Sequence, residues 1–182
     1  MKNSMIFSKK RIAFYFHRLY ISIKWSKMEQ KTTKLEQSGA EVERMYGKYD
    51  HTVDAKGRLF VPSKLREHLG ETFYVMPGTD TCLNVYSRQG WEQVQERINA
   101  IPLSKRRGIR FLLGNVLECS PDKQGRFLLT PELRQYASLE QEVTILGQGD
   151  HVEIWARDAY RAEEEEKLTP EYIRSVMEEL EI

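Results

Sequence analysis

The amino-acid sequence predicts an α+β fold made of two pseudo-symmetric halves. The stretch YDHTVDAKGRLFVPSKLREHLG at residues 49–70 returns as LECSPDKQGRFLLTPELRQYAS at residues 117–138. In each copy, two short strand-like runs flank an Asp-x-x-Gly-Arg turn, and a short helical pattern follows. Self-similarity of this length indicates duplication, and two copies are too few for a solenoid, so we expect one domain with an internal two-fold.

The elements of the first copy follow from its turn and cap residues. The runs YDHTV and RLFV flank a tight turn in which Gly57 supplies a positive φ, which predicts a β-hairpin. A short helix then ends at Gly70. The runs TFYVM and CLNVY flank PGTDT and predict a second hairpin. Ser87 is the predicted cap of a helix whose apolar stripe faces the core; the stripe is Trp91, Val94, Ile98 and Ile101.

The second copy repeats this order. Thr130 and Pro131 are suited to the N-cap and first position of its short helix. The runs EVTILG and HVEIW predict the second pair of strands. A helix from about Arg157 ends near the Thr169-Pro170 pair, where another helix begins.

Composition and length are typical of a folded globular protein. The chain has 182 residues, 40% of them apolar, enough for one ordinary domain or two small ones. The N-terminal apolar runs are too short to span a bilayer, and no secretory signal is present, so a cytoplasmic protein is predicted. Cys82 and Cys119 are too few for a disulfide framework or zinc site and are predicted to be buried.

Charge is distributed unevenly along the chain. Residues 1–44 hold ten Lys and Arg against four Asp and Glu, whereas residues 135–182 hold four against 13. A basic front is a hint of nucleic-acid contact, although a solvated surface is the simpler alternative. The acidic tail, which includes residues 163–166, is expected to point away from DNA, to face a neighbouring chain, or to aid solubility.

The pattern divides the chain into five segments. Residues 1–44 lie outside the repeat and are interpreted as an extension; Met45 is a candidate true start, because residues 41–44 can be encoded by a purine-rich stretch suited to ribosome binding. The remaining predicted segments are a first domain at 48–91, a helical connector at 92–116, a second domain at 117–160 and acidic C-terminal helices at 161–182.

The repeated turn is the main candidate site. Asp54 and Asp122 are expected to accept backbone N–H bonds and fix the turns, and Gly57 and Gly125 to reverse the chain. The planar guanidinium of an arginine just past each turn suits phosphate or a guanine edge. The candidate DNA-binding residues are Lys56, Arg58, Lys123 and Arg126, with Lys64 and Arg66 as weaker ones. The alternative is a purely structural Asp–Arg pair; the run from Lys105 to Arg110 is interpreted mostly as a solvated helix face.

Residues 46 to about 167 resemble the MraZ family of bacterial transcriptional regulators with tandem SpoVT-AbrB domains, on the Asp54–Arg58 and Asp122–Arg126 motifs and the surrounding block. The resemblance implies swapped-hairpin halves that form a small β-barrel with short flanking helices. It also implies a ring-like homo-oligomer, associated with the nucleoid, that binds repeated promoter sites of its own division and cell-wall gene cluster and represses it. An antitoxin-like AbrB-fold interaction module without promoter specificity is the alternative.

An enzyme is disfavoured by the sequence. The four histidines lack a nucleophile partner or metal spacing, and no Walker-type phosphate loop occurs. In the DAKGR turn, Lys56 stands where calcium would require an oxygen ligand. We therefore predict no catalytic residue, no metal, no cofactor, no small-molecule substrate and no membrane partner.

Overall fold

The computed structural model describes residues 44–182, whose strands form two antiparallel sheets. The larger sheet has the order β1-β7-β8-β4-β3-β5. Its strands are β1 Met45–Thr52, β3 Phe73–Pro77, β4 Leu83–Ser87, β5 Leu117–Cys119, β7 Glu142–Gly149 and β8 Val152–Ala156. The smaller sheet, called the ribbon below, pairs β2 Arg58–Phe60 with β6 Arg126–Leu128. Residues 1–43 of the predicted extension lie outside this range, whereas the candidate start, Met45, is the first residue of β1.

Six α-helices connect and cover the strands of residues 44–182: α1 Ser63–Leu69, α2 Arg88–Asn99, α3 Arg110–Leu113, α4 Pro131–Tyr136, α5 Arg157–Lys167 and α6 Pro170–Leu180. A 3-10 helix, Leu103–Ile109, precedes α3. The predicted caps are confirmed, because the hydroxyls of Ser87 and Thr130 accept N–H bonds from the first turns of α2 and α4. Thr169 caps α6 in the same way. Gly70 ends α1 with φ 78°.

The first predicted hairpin is wrong in its strand pairing, although its turn forms. The Gly57 N–H donates to the Asp54 carbonyl at 2.8 Å, but a single bridge, Val53 to Leu59, joins the two arms. β1 then pairs with β7 and β2 with β6, both in the other half. Divergence of the arms lets Leu59 enter a core shared by both halves, which a two-stranded hairpin alone cannot offer.

The exchange is reciprocal, so the two halves have the same topology. β5 pairs with β3 as β1 pairs with β7, and β4 pairs with β8 at the centre of the sheet. The predicted hairpins β3–β4 and β7–β8 are confirmed. The α+β fold of two swapped halves is therefore confirmed. Within residues 44–182 its strands form separate six- and two-stranded sheets, with no closed barrel between them.

One hydrophobic core lies between the ribbon and the six-stranded sheet. Phe127 of the ribbon meets Phe73 of the sheet edge to face, with ring centroids 5.1 Å apart. Both halves contribute its fully buried side chains, which include Leu59, Leu65, Phe73, Val75, Leu83, Val85, Leu129, Leu133, Val143, Ile145 and Val152. The ribbon therefore forms an outer wall of the domain.

The opposite face of the six-stranded sheet is covered by helices. Trp91 of α2 stacks on Tyr74 at 5.4 Å, and Tyr160 of α5 meets Trp155 at 6.1 Å. The predicted α2 stripe is only partly buried, since Trp91 alone is fully enclosed and Ile101 lies beyond the helix end. Both cysteines are buried, as predicted. In the described part of the chain, no helix combines the length and apolarity needed to cross a membrane.

Candidate nucleic-acid interface

The ribbon has one buried and one outward face. Leu59 and Phe127 are paired on the inner face and are buried. Because side chains alternate along a strand, the residues on either side of them point outward. This outward face consists of Arg58, Phe60, Arg126 and Leu128, and Leu128 is 59% exposed. The sequence therefore places two arginines and two apolar side chains on the outward face of the ribbon, where Leu128 is exposed and the other three are partly buried.

The first turn is held by one carboxylate. Oδ1 of Asp54 accepts the backbone N–H groups of Lys56 and Arg58, each at 2.9 Å. Oδ2 accepts Nε of Arg58 at 2.7 Å and pairs with its Nη2 at 2.6 Å. These bonds, led by that from the Arg58 side chain, lower the pKa of Asp54 to about 2. The Asx-type turn and Asp–Arg pair predicted from the sequence are present.

The second turn repeats this geometry. Oδ1 of Asp122 accepts the N–H groups of Gln124 and Arg126 at 2.9 Å, and Oδ2 accepts Nε and Nη2 of Arg126 at 3.0 and 2.8 Å. The backbone bond from Arg126, followed by its side-chain bond, lowers the pKa of Asp122. Gly57 and Gly125 share φ 78°. Both turns therefore present an arginine in the same fixed orientation.

Pairing with aspartate changes what these arginines can do. A guanidinium has five N–H donors in a plane, and the bonds from Nε and one Nη leave its far edge for a ligand. The aspartate offsets the arginine charge, so the pair attracts a phosphate less strongly than a free arginine does. Its fixed plane suits bidentate bonding to a base edge. The geometry thus favours directional recognition over general charge attraction.

Two further arginines reach across from the opposite half. The guanidinium of Arg66, on α1, lies directly against Gly125 and 6.0 Å from the Phe60 ring centre. The equivalent Arg134, on α4, lies against Gly57, where an added Cβ would be 3.2 Å from its Cζ. Arg134 Nε is buried without a hydrogen-bond partner among the described residues. The strand exchange therefore places Arg66 beside the second turn, although it follows the first in sequence.

Arg134 is a candidate that the sequence reasoning missed. It occupies the repeat position of Arg66, because the second copy of the repeat lies 68 residues after the first. Two residues earlier, Glu132 stands where the first copy has Lys64. The second helix therefore lacks the pair of basic residues that marks the first. The repeat offset is the signal that identifies Arg134.

The lysines differ in their relation to the ribbon. Lys56 and Lys123 are exposed on the first and second turns, at non-equivalent positions. Lys64 is exposed on α1. In the predicted connector, partly buried Arg106 donates to the carbonyls of Ile101 and Asn99 at 3.1 and 3.0 Å, so it has a structural role.

His151 belongs to a separate charged network. Its Nδ1 lies 2.7 Å from Asp150 and its Nε2 3.6 Å from Glu153. Burial opposes protonation, but the two carboxylates outweigh it and raise the pKa of His151 to about 9. The imidazolium therefore persists at neutral pH. No group of three or more His, Cys, Asp or Glu side chains suited to a metal ion occurs within residues 44–182.

The fold is that of a small α+β domain whose two swapped halves each carry an Asp–Arg turn, and comparison with known proteins identifies its family. The model of a family described as "MraZ protein, putative antitoxin-like" matches residues 44–113 and 111–171. These two matches correspond to the two copies of the repeat.

Curated relatives agree with this assignment. Proteins named transcriptional regulator MraZ are 43% identical over 129 residues in Heliobacterium modesticaldum and 42% over 140 residues in Caldicellulosiruptor saccharolyticus. The matches cover 69% and 75% of this chain, and 90% and 98% of those relatives. A third, from Caldanaerobacter subterraneus subsp. tengcongensis, is 40% identical over 75% of this chain and 96% of its own length. The chain belongs to the MraZ family.

Proposed function

We propose that this protein is a transcriptional regulator that binds double-stranded promoter DNA through the outward face of the ribbon and its two turns. The observation that carries the proposal is the repeated Asp–Arg geometry on the outward face of the ribbon. The names of the relatives, transcriptional regulators, support the same function.

The shape of the ribbon suits the major groove. That groove is about 12 Å wide and admits a two-stranded β-ribbon. Arg58 and Arg126 would then face base edges, with their free guanidinium edges available for guanine O6 and N7. Leu128 and Phe60 on the same face supply apolar surface that can contact a thymine methyl.

The flanking cations have a different role in this proposal. Lys56 and Lys123, exposed on the turns, are assigned to phosphates, as are Arg66 and Arg134 beside them. Phosphate contacts fix the position and strength of binding, whereas base contacts determine the sequence that is read. Lys64 is assigned to the phosphate group as the weakest member.

Assembly of several copies supports the same function. One ribbon provides few base contacts, so a single domain binds weakly. Joining ribbons in a ring-like homo-oligomer raises the effective concentration at repeated sites. We propose that these sites lie in the promoter of the protein's own division and cell-wall gene cluster, that binding represses it, and that the protein is associated with the nucleoid.

A binding titration tests the ribbon directly. Fluorescence anisotropy of the full chain would compare its own upstream DNA with a shuffled duplex at about 50 and 200 mM salt. We expect preference for the upstream DNA and a steep loss of affinity with salt. Arg58→Ala and Arg126→Ala should each weaken specific binding by roughly 5- to 150-fold, as expected for a lost bidentate base contact.

Two controls separate recognition from charge. Arg58→Lys keeps the charge but loses the planar fork, so it should lose sequence preference while retaining most of the salt dependence. Arg97→Ala removes an exposed charge from α2, on the helix-covered side of the sheet, and should bind as wild type does. Equal binding by wild type and Arg58→Ala, with both folded, would favour the antitoxin-like interaction module instead.

A further inference from the structure

The C-terminal helix α6 exposes an apolar stripe. Ile173, Val176, Met177 and Leu180 follow the spacing that places side chains on one side of a helix. Ile173 is 42% exposed and Met177 47%. Tyr172 borders the stripe and is also exposed. A helix with an apolar side of this kind is typical of one that packs against a partner.

A groove elsewhere on the domain is open and mostly apolar. It has a volume of about 440 Å³ and lies between the end of β3, α3 and α4. Its lining consists of Pro77, Gly78, Phe111, Leu112, Leu133 and Tyr136 together with the polar residues Asn115, Glu132 and Gln135. The hydroxyl of Tyr136 donates to the Gly78 carbonyl at 2.5 Å and holds one wall in place. Phe111 is 80% exposed at the rim.

The charges around these two surfaces are complementary. Arg107 and Arg110 are exposed next to Phe111, and neither forms an ion pair with another described residue. On α6, the helical spacing places Glu179 on one flank of the apolar stripe and Glu181 close to the other, and both are exposed. Glu132 also lines the groove and Arg174 lies on the α6 flank near Glu181, so the match is one of net charge: two arginines against one glutamate at the groove, and four glutamates (Glu171, Glu178, Glu179 and Glu181) against one arginine on and just after α6.

We propose that α6 of one copy binds in the α3–α4 groove of a second copy of this chain. The apolar stripe would fill the groove while the acidic flanks meet Arg107 and Arg110. The two contacting surfaces differ, so the interface is heterologous, and its repetition closes a ring or extends a filament. The family-model match ends at residue 171, in the first turn of α6.

This inference supplies a contact for the assembly in the proposed function, but its test requires no DNA. Two differently tagged full-length chains, one with Phe111→Cys and one with Met177→Cys, would be co-produced and oxidised. The native cysteines are buried and their thiol pKa values are raised by burial, to about 11 for Cys82 and about 12 for Cys119, so their reaction is suppressed. We expect a disulfide-linked heterodimer between the two tags.

Other products of the same experiment would overturn the proposal. A dimer of Met177→Cys chains alone would indicate that α6 pairs with α6. A linked monomer from the double variant Phe111→Cys/Met177→Cys would place α6 in its own groove. Absence of any linked species, from variants that retain the assembly mass of the wild type, would contradict the contact. In each case the DNA titration remains an independent test of the ribbon.

Charge reversal provides a second measurement. Light scattering should show that Arg107→Glu/Arg110→Glu lowers the assembly mass of the full chain, because like charges then meet across the groove. Combining it with Glu179→Lys/Glu181→Lys should restore the mass. Arg97→Glu, a reversal on α2, should leave it unchanged. An unchanged mass in the groove variant, or no recovery in the combined one, would contradict the proposed pairing.

Discussion

The two turns share a backbone but differ in the charges around them. Each aspartate accepts the same two backbone N–H groups and binds the arginine four residues later. The two residues that follow the aspartate differ, however: they are Ala55-Lys56 in the first turn and Lys123-Gln124 in the second. The helix that reaches the first turn carries Glu132, whereas the one that reaches the second carries Lys64.

This difference distinguishes the residues that the turn backbone requires from the residues that only set the charge around it. The carboxylate, the glycine and the arginine are needed to build either turn, so they recur. The surrounding lysines can move without altering the backbone, since they are exposed. The repeat therefore retained its geometry while its charge pattern diverged, and substitutions can probe each property separately.

The largest effect is expected in the core beneath the ribbon, where the halves contribute Leu59 and Phe127 at equivalent positions. Phe127→Ala should lower the free energy of unfolding by about 3–5 kcal/mol and Leu59→Ala by about 2–5 kcal/mol. The Phe127 variant also loses its edge contact with Phe73. Urea unfolding measures both, with exposed Leu128→Ala as the neutral control. A cost below about 1 kcal/mol for Phe127→Ala would contradict packing of the ribbon on the sheet.

The next largest effects are expected from substitution of the two turn glycines, which tests whether the two turns respond alike. Gly57→Ala and Gly125→Ala should each cost about 1–2 kcal/mol, because both place a side chain at φ 78°. Only at Gly125 would the new methyl overlap the Arg66 guanidinium and displace it. Gly125→Ala should therefore weaken DNA binding more than Gly57→Ala does. DNA binding by the double variant Gly125→Ala/Arg66→Ala should be only slightly weaker than binding by Gly125→Ala alone. If the losses of binding free energy in the two single variants add fully in the double variant, displacement of Arg66 by the new methyl group is refuted.

A smaller effect is expected from acid. The folded-state pKa of Asp54, about 2, lies below its ordinary value of 3.8, so its ionised form contributes stability that is complete above the ordinary value. That contribution is lost as the pH falls through about 2. The difference in unfolding free energy between wild type and Asp54→Asn should thus be constant above about pH 5 and narrow below about pH 4. An NMR titration that finds the Asp54 pKa near 3.8 would rule this out.

The smallest effect concerns the exposed lysines. Lys56→Gln gives the first turn the residue found at the equivalent position of the second, Gln124. The loss of one phosphate contact should reduce the slope of log affinity against log salt by about 0.9, with little change in sequence preference. Lys123→Gln should have a similar effect if both turns reach DNA. A change in slope for only one lysine would assign DNA contact to that turn.

Local features were largely predictable from the sequence. The caps Ser87 and Thr130 and the turn glycines act within a few residues of their own position, so their roles could be inferred without knowledge of the fold. The Asp54–Arg58 pair belongs to the same group. The repeat itself predicted the two-fold arrangement.

Strand partners were harder to predict. Nothing local distinguishes β1 pairing with β2 from β1 pairing with β7, because both arrangements bury the same alternating residues. The resemblance to swapped-hairpin domains, rather than the pattern, indicated the exchange. The placement of Arg66 and Arg134 beside the opposite turns depends on that exchange, so it was visible only in three dimensions.

The exchanged strands also affect how the chain must fold during its synthesis. Thr52 pairs with Glu142, so β1 has no strand partner until about 90 further residues have been translated. At about 5–20 residues per second, this delay is on the order of 5 to 20 s. Throughout that interval the first half has open strand edges and unburied leucines. The nascent first half therefore presents an unpaired strand edge, the feature through which partly folded sheets pair with other chains.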